Sequence, residues 1–112
     1  MSENCIFCKI VVGEIPCNKI YEDGEFLAFH DIHPIAPVHF MIIPKEHLDS
    51  LADAALRHEQ LLGRILLLAP VLAKEQGLAD GFRTIINTGP GGGQEVFHLH
   101  VHVIGGNKLR PM

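Results

Sequence analysis

The chain has 112 residues, enough for one domain with a substantial core and too few for a second. Its composition, 47% hydrophobic and 20% charged, argues against disorder, and no apolar run reaches the roughly 18 residues of a membrane span. The formal net charge of −4 argues against electrostatic binding to nucleic acid or to an anionic membrane. With no signal segment in the sequence, we expect a cytoplasmic protein in which Cys5, Cys8 and Cys17 stay reduced.

Hydrophobic periodicity and turn signals divide the chain into a short helix, three strands, a long helix and two further strands. Gly13 and Pro16 end the first helix, and Asp23-Gly24 separates the first two strands. The predicted ranges are a helix over 6–12, strands over 19–22, 26–31 and 39–44, a helix over 53–76, and strands over 82–88 and 97–106.

The predicted long helix carries one apolar stripe for the core and further apolar residues beside it. Gly77 is a suitable C-terminal cap, Pro70 should bend the helix, and His58 at its start is expected to be solvated. A helix that is apolar on more than one face needs a second partner, so we expect a homodimer that buries part of it. The stripe comprises Leu61, Leu62, Ile65, Leu68 and Leu72, and the additional residues are Leu66, Leu67 and Val71.

A glycine-rich loop, GPGGG at residues 89–93, joins the last two predicted strands. Such a loop suits a hairpin-like connection between antiparallel neighbours. The element order therefore predicts an α+β fold with a mainly antiparallel five-stranded sheet, one long helix and one short helix.

Three histidines, His98, His100 and His102, alternate with apolar residues in FHLHVHVIGG. On a strand their rings would form a row on one side, about 6.6 Å apart. They could be satisfied by ordinary hydrogen bonds, bind a metal, or include a nucleophile for covalent catalysis. Three collinear ligands converge poorly on one metal. The adjacent glycine loop favours catalysis at phosphorus, because its backbone amides could stabilise phosphate oxygens.

The stretch HLHVHVI, residues 98–104, resembles the His-φ-His-φ-His-φ-φ signature of the histidine-triad superfamily, in which φ is hydrophobic. Segments 5–10, 14–16, 28–32, 36–40 and 92–98 look like its Hint branch. The resemblance implies a histidine-triad (HIT) fold and a homodimer with one continuous ten-stranded sheet. It also implies hydrolysis of purine nucleoside 5′-phosphoramidates at the P–N bond, through a nucleotidyl-histidine intermediate that yields nucleoside monophosphate and amine. The substrate would be a nucleotide of the AMP or GMP type.

The same resemblance implies a role for each matching residue. His100 matches the nucleophile, His102 and His39 match residues that contact the phosphate region and support proton transfer, and His98 would buttress the nucleophile's ring. Asp31 matches the carboxylate that accepts the ribose hydroxyls. The base pocket would comprise Ile6, Phe7, Ile10, Phe29, His30, Ile32 and Met41, and the phosphate-facing positions Asn87, Gly93, Glu95 and Val96. Glu95 departs from the serine of some family members, so its carboxylate is expected to point away from the phosphate.

The spacing of Cys5 and Cys8 suits a metal, a redox couple or two small buried side chains. Zinc-bearing relatives add a histidine after a Pro-Lys-X turn and the first histidine of the triad, which match His47 and His98. Any zinc bound there would be structural, since many Hint proteins work without metal. No cofactor is then required for catalysis.

Two other functions stay open at this point. One is a dinucleoside polyphosphate hydrolase of the Fhit-like branch. The other is a non-catalytic interaction module that binds nucleotide or zinc. The segment 92–98 and the Gly105-Gly106 pair favour the Hint branch over the Fhit-like branch.

Overall fold

The computed structural model describes residues 4–112 and shows a five-stranded antiparallel sheet that packs against two helices. The strand order in the sheet is β1-β2-β3-β5-β4. The predicted α+β fold is confirmed. In chain order the elements are α1 (Ile6–Val11), β1 (Lys19–Glu22), β2 (Phe26–His30), β3 (Val38–Pro44), α2 (Glu59–Glu75), β4 (Arg83–Ile85) and β5 (Val101–Gly105).

The central strand β3 is buried on both faces of the sheet. Phe40 and Ile42 lie in a hydrophobic cluster with residues of α2, whereas Met41 and Ile43 lie in a second cluster with residues of α1. This division follows from the two-residue period of a strand, which sends alternate side chains to opposite faces. The second cluster fixes α1 over the sheet face on which the candidate site lies.

The long helix begins at Glu59, so the prediction that it starts at residue 53 is wrong. Two 3₁₀ turns, Leu51–Asp53 and Leu56–His58, precede it. His58 is only 3% exposed, and its Nδ1 accepts a hydrogen bond of 2.9 Å from the Ala55 amide. The expectation that His58 is solvated is therefore also wrong. Its ring satisfies a backbone donor that the incoming 3₁₀ turn leaves unpaired.

The histidine segment is not one regular strand, because β5 begins only at Val101. His98 and His100 precede β5 in a stretch that is held by other contacts. Within this stretch the Leu99 amide donates to the Leu48 carbonyl at 2.7 Å instead of joining the sheet ladder. Burial does not alternate along this segment: Leu99 and Val101 are in the core as predicted, but His98 and His100 are buried as well.

The edge strand β4 has three residues, fewer than the seven that were predicted. In the described part of the chain it pairs only with β5, and its other side is an unpaired edge of the sheet. Within residues 4–112, no helix combines the length and the hydrophobicity that a membrane span requires.

Candidate active site and metal-ligand group

A cavity of about 420 Å³ lies beside His100 and His102, and most of the predicted catalytic and nucleotide-binding residues line it. Its walls come from α1, the loop after β2, β3, β4 and the chain that leads into β5. The predicted residues that line it are Ile6, Phe7, Asp31, Ile32, His39, Met41, Asn87, Gly93, Glu95, Val96, His100 and His102.

Four of the residues predicted for catalysis or nucleotide binding do not line this cavity: Ile10, Phe29, His30 and His98. Phe29 is buried beneath Phe7, with ring centroids 5.6 Å apart, and Ile10 packs against the same cluster. Conversely, sequence reasoning missed His33, Ile35 and Ile85, which do line it. The proline loop that carries the first two gave no periodic signal.

The ring of His100 is oriented by the backbone just before it. Its Nδ1 donates to the carbonyl oxygen of His98 at 2.7 Å. The neutral ring therefore carries its proton on Nδ1 and keeps a lone pair on Nε2. Phe7 stands edge-on to the ring at a centroid distance of 5.2 Å and limits its rotation. The result is a buried imidazole with one fixed tautomer.

His39 and His102 are joined by a hydrogen bond whose direction is fixed by the backbone. The Ile35 amide donates to Nδ1 of His39 at 3.2 Å, so neutral His39 carries its proton on Nε2. That Nε2 donates to Nδ1 of His102 at 2.9 Å, which places the proton of neutral His102 on its own Nε2. Asp31 lies beside the pair, with its Oδ2 3.3 Å from Nε2 of His39.

Burial lowers the pKa of His39, His100 and His102, because desolvation disfavours a charged ring. For His102 desolvation and the neighbouring rings of His100 and His39 lower the pKa to about 4. The negative charge of Asp31 acts in the opposite direction on all three pKa values. The three rings are consequently neutral near pH 7 in the free protein.

The glycine loop beside the cavity is held in shape by Gln94. The Gln94 side chain accepts from the Gly89 amide at 2.9 Å and donates to the carbonyls of Asp49 and Val96. Gly89 and Gly93 have φ values of 71° and 81°, which favour glycine. The sequence did not predict this role for Gln94, because nothing about a single glutamine in a loop indicates that its side chain is buried.

A second group of polar residues, Cys5, Cys8, His47 and His98, lies behind the cavity. Their ligand atoms all fall within 4.8 Å of one another. The shortest sulfur–nitrogen separations are 3.2 Å from Cys8 to His47 and 3.3 Å from Cys5 to His98. Tetrahedral zinc with ordinary bond lengths places sulfur and nitrogen ligands about 3.5 Å apart. The four residues therefore fit zinc in number, chemistry and spacing.

The tautomers of both histidines in this group also suit a metal. His98 donates from Nε2 to the Pro44 carbonyl at 2.7 Å, and His47 donates from Nε2 to Asp49 at 2.5 Å. Each ring thus presents a lone pair on Nδ1 to the cysteine sulfurs. Outer partners that fix the ring in this way accompany most metal-binding histidines. The sequence reasoning missed Asp49, although its His-X-Asp spacing was available as a signal.

Asp31, His39 and His102 are also close enough to share a metal ion. The hydrogen bonds argue against this use of the group. Because the Ile35 amide requires an unprotonated Nδ1 on His39, the Nε2 that would face the ion already carries the proton. The group is better described as a proton-carrying network.

Comparisons with known proteins show the family that this chain resembles. The HIT domain family matches residues 12–109. The chain is 46% identical over 113 residues to a purine nucleoside phosphoramidase of Escherichia coli K12, covering 100% of this chain and 95% of that protein. It is 51% identical over 106 residues to a 14 kDa zinc-binding protein of Zea mays, covering 93% of this chain and 83% of that protein.

A histidine triad protein from Clostridium difficile has a closely similar solved structure. The two chains superpose with a TM-score of 0.96 at 46% sequence identity, over 100% of this chain and 98% of the other. The likeness in sequence and in structure thus extends over the whole of this chain. The chain belongs to the HIT family, and the resemblance to its Hint branch is confirmed.

Proposed function

We propose that the protein hydrolyses purine nucleoside 5′-phosphoramidates at the P–N bond, with His100 as the nucleophile. The observation that carries the proposal is the bond from His100 Nδ1 to the His98 carbonyl, which leaves a lone pair on Nε2 of a ring that lines the cavity. The similarity to a phosphoramidase supports the same reaction.

The reaction would proceed in two displacements. In the first, Nε2 of His100 forms a bond to the α-phosphorus and the P–N bond of the substrate breaks. The leaving nitrogen keeps the electron pair of that bond and takes a proton from His102, whose ring would be charged in the substrate complex because the negative phosphate opposes the desolvation that keeps it neutral in the free protein. In the second, water attacks phosphorus, the bond to His100 breaks, and His102 takes a proton from the water. The products are nucleoside monophosphate and amine, and the enzyme returns to its starting protonation.

The remaining cavity residues suit a nucleotide. Ile6, Ile32 and Met41 offer apolar surface to a purine, and the Asp31 carboxylate would accept the ribose hydroxyls. Asn87 and the backbone amides near Gly93 would face the phosphate. Glu95 is solvent-exposed, which supports the expectation that its carboxylate turns away from the phosphate and leaves its amide to contribute.

Incubation with adenosine 5′-phosphoramidate tests this function. We expect release of the amine and of AMP, with a slower reaction on diadenosine polyphosphates. Preferential cleavage of a diadenosine polyphosphate would instead indicate the Fhit-like activity. Binding of AMP without turnover of either substrate would indicate an interaction module.

We further propose that Cys5, Cys8, His47 and His98 hold a structural zinc ion. The ion would join α1 and the turn after β3 to the segment that carries His100. It would contribute cross-linking and rigidity, while the displacement chemistry stays with the cavity residues. The name of the maize relative supports zinc as the metal.

The protein is also proposed to be a homodimer through α2 and the free edge of β4. Leu66, Leu67 and Val71 on α2 are 47%, 73% and 54% exposed, and all lie outside the core of one chain. Antiparallel pairing of two β4 edges would produce a ten-stranded sheet and bury these side chains.

Light scattering at micromolar concentration should give the mass of a dimer, and Leu67→Glu should shift it towards the monomer. Glutamate retains helix propensity, so the substitution tests the contact and not the helix. Leu56→Glu is the matched control, because Leu56 is 89% exposed but lies in the 3₁₀ turn before α2. A monomeric wild-type protein contradicts the proposal.

A further inference from the structure

One carboxylate oxygen of Asp31 faces two imidazole rings. Oδ2 lies 3.3 Å from Nε2 of His39 and 4.0 Å from Nδ1 of His102. The other oxygen, Oδ1, accepts from the His33 amide at 2.8 Å and fixes the carboxylate in this position. The side chains of Asp31 and His102 are each 16% exposed and that of His39 is 4% exposed. Solvent therefore screens these interactions weakly.

Glu95 lines the same cavity, but Asp31 is the one negative group that favours a charge on His102 among the described residues that shift its pKa. His39 approaches from β3 and His100 from the segment before β5, and both rings disfavour a charge on His102. On β4 the residue that pairs with His102 is Ile85, which cannot ionise. A positive charge on His102 thus has one favourable partner.

The hydrogen-bond directions explain why that partner is needed. Neutral His102 accepts the proton of His39 on its Nδ1. When His102 is protonated, both facing nitrogens carry hydrogen, and the bond between the two rings is lost. The proton on Nε2 of His39 and the new proton on Nδ1 of His102 then both need an acceptor. Oδ2 of Asp31 is close to both.

We propose that Asp31, besides facing the ribose, is a positioning residue for proton transfer that stabilises the charged ring of His102. Charged His102 gives its proton to the leaving amine in the first displacement and regains one from water in the second. The inference rests on the proposed phosphoramidate hydrolysis. It assigns to Asp31 an effect on the rate that does not pass through the ribose hydroxyls.

Asp31→Asn separates the two roles when it is combined with a substrate that lacks both hydroxyls. Asparagine removes the charge and keeps an oxygen for the His33 amide. On 2′,3′-dideoxyadenosine 5′-phosphoramidate we expect the kcat of the variant to be about three- to tenfold below wild type at neutral pH. The alkaline limb of its pH profile should move to lower pH, because His102 loses its proton more readily.

Glu95→Gln is the matched control, since Glu95 is the other acidic residue that lines the cavity and the substitution removes its charge. We expect it to move the alkaline limb less than Asp31→Asn does. Equal shifts in both variants, or equal kcat values for wild type and Asp31→Asn on the dideoxy substrate, overturn the proposal.

An NMR titration of the His102 ring in the free protein gives a readout without turnover. Asp31→Asn should lower the pKa of His102 by about one pH unit. An unchanged pKa overturns the proposed stabilisation. Failure of the wild-type protein to hydrolyse adenosine 5′-phosphoramidate would instead count against the proposed function, and the titration would still decide whether Asp31 stabilises the charged ring.

Discussion

Replacement of His100 by alanine is expected to lower kcat at least about a thousandfold. The ring forms its bond to phosphorus only along the reaction path, so its removal acts on the transition state and not on the bound substrate. The affinity for AMP should change little, because purine, ribose and phosphate keep their other contacts. Steady-state kinetics and calorimetric titration with AMP measure the two effects separately.

The substitution also opens a small cavity, since His100 is 7% exposed and packs against Phe7. His58→Ala provides a control for this loss, because His58 is another buried histidine and lies outside the cavity. We expect His58→Ala to lower the melting temperature while turnover persists. Retention of more than a few per cent of activity by folded His100→Ala would show that another group attacks phosphorus.

Local pattern was sufficient to predict most of the fold. The bounds of β1 agree with the prediction, and those of α1, β2 and β3 differ from it by one residue, because each short apolar run ends at a clear turn signal. The prediction was wrong for the start of α2, the start of β5 and the length of β4. At the first two places the backbone bonds are made to distant or irregular partners, such as Leu48 for Leu99, and no sequence window contains that information.

In the candidate site, too, local sequence pattern could not predict contacts between distant parts of the chain. Alternation correctly separated the histidines from the core residues between them. It could not reveal that the row divides, with His98 turned to the cysteines and His100 and His102 lining the cavity. That division depends on the Pro44 carbonyl, which accepts from the His98 ring, and on the His98 carbonyl, which accepts from the His100 ring. Backbone groups therefore set the chemistry that the row can perform.

Removal of zinc is expected to lower the melting temperature by about 10–20 °C, which corresponds to a loss of about 2–4 kcal/mol in a domain of this size. The reason is that the four ligands come from separate parts of the chain, and without the ion they join only through weak sulfur–nitrogen contacts. Burial also raises the pKa of the Cys5 thiol, which favours neutral thiols once the metal is gone. A cavity of about 330 Å³ lined by Cys5 and His47 gives a chelator access.

Cys8→Ser tests the ligand role, and Cys17→Ser serves as its control, because Cys17 lies outside the metal-ligand group. Protein purified without added metal should contain about one zinc ion per chain in wild type and Cys17→Ser, and far less in Cys8→Ser. Chelator should lower the melting temperature of the first two proteins and leave that of Cys8→Ser unchanged. Activity should fall only to the extent that the hydrogen bond from His100 Nδ1 to the His98 carbonyl is weakened.

The metal site would be refuted if wild-type protein contained little zinc and chelator did not alter its melting temperature. Cys5 and Cys8 would then be free thiols whose spacing suits a metal that the protein does not bind.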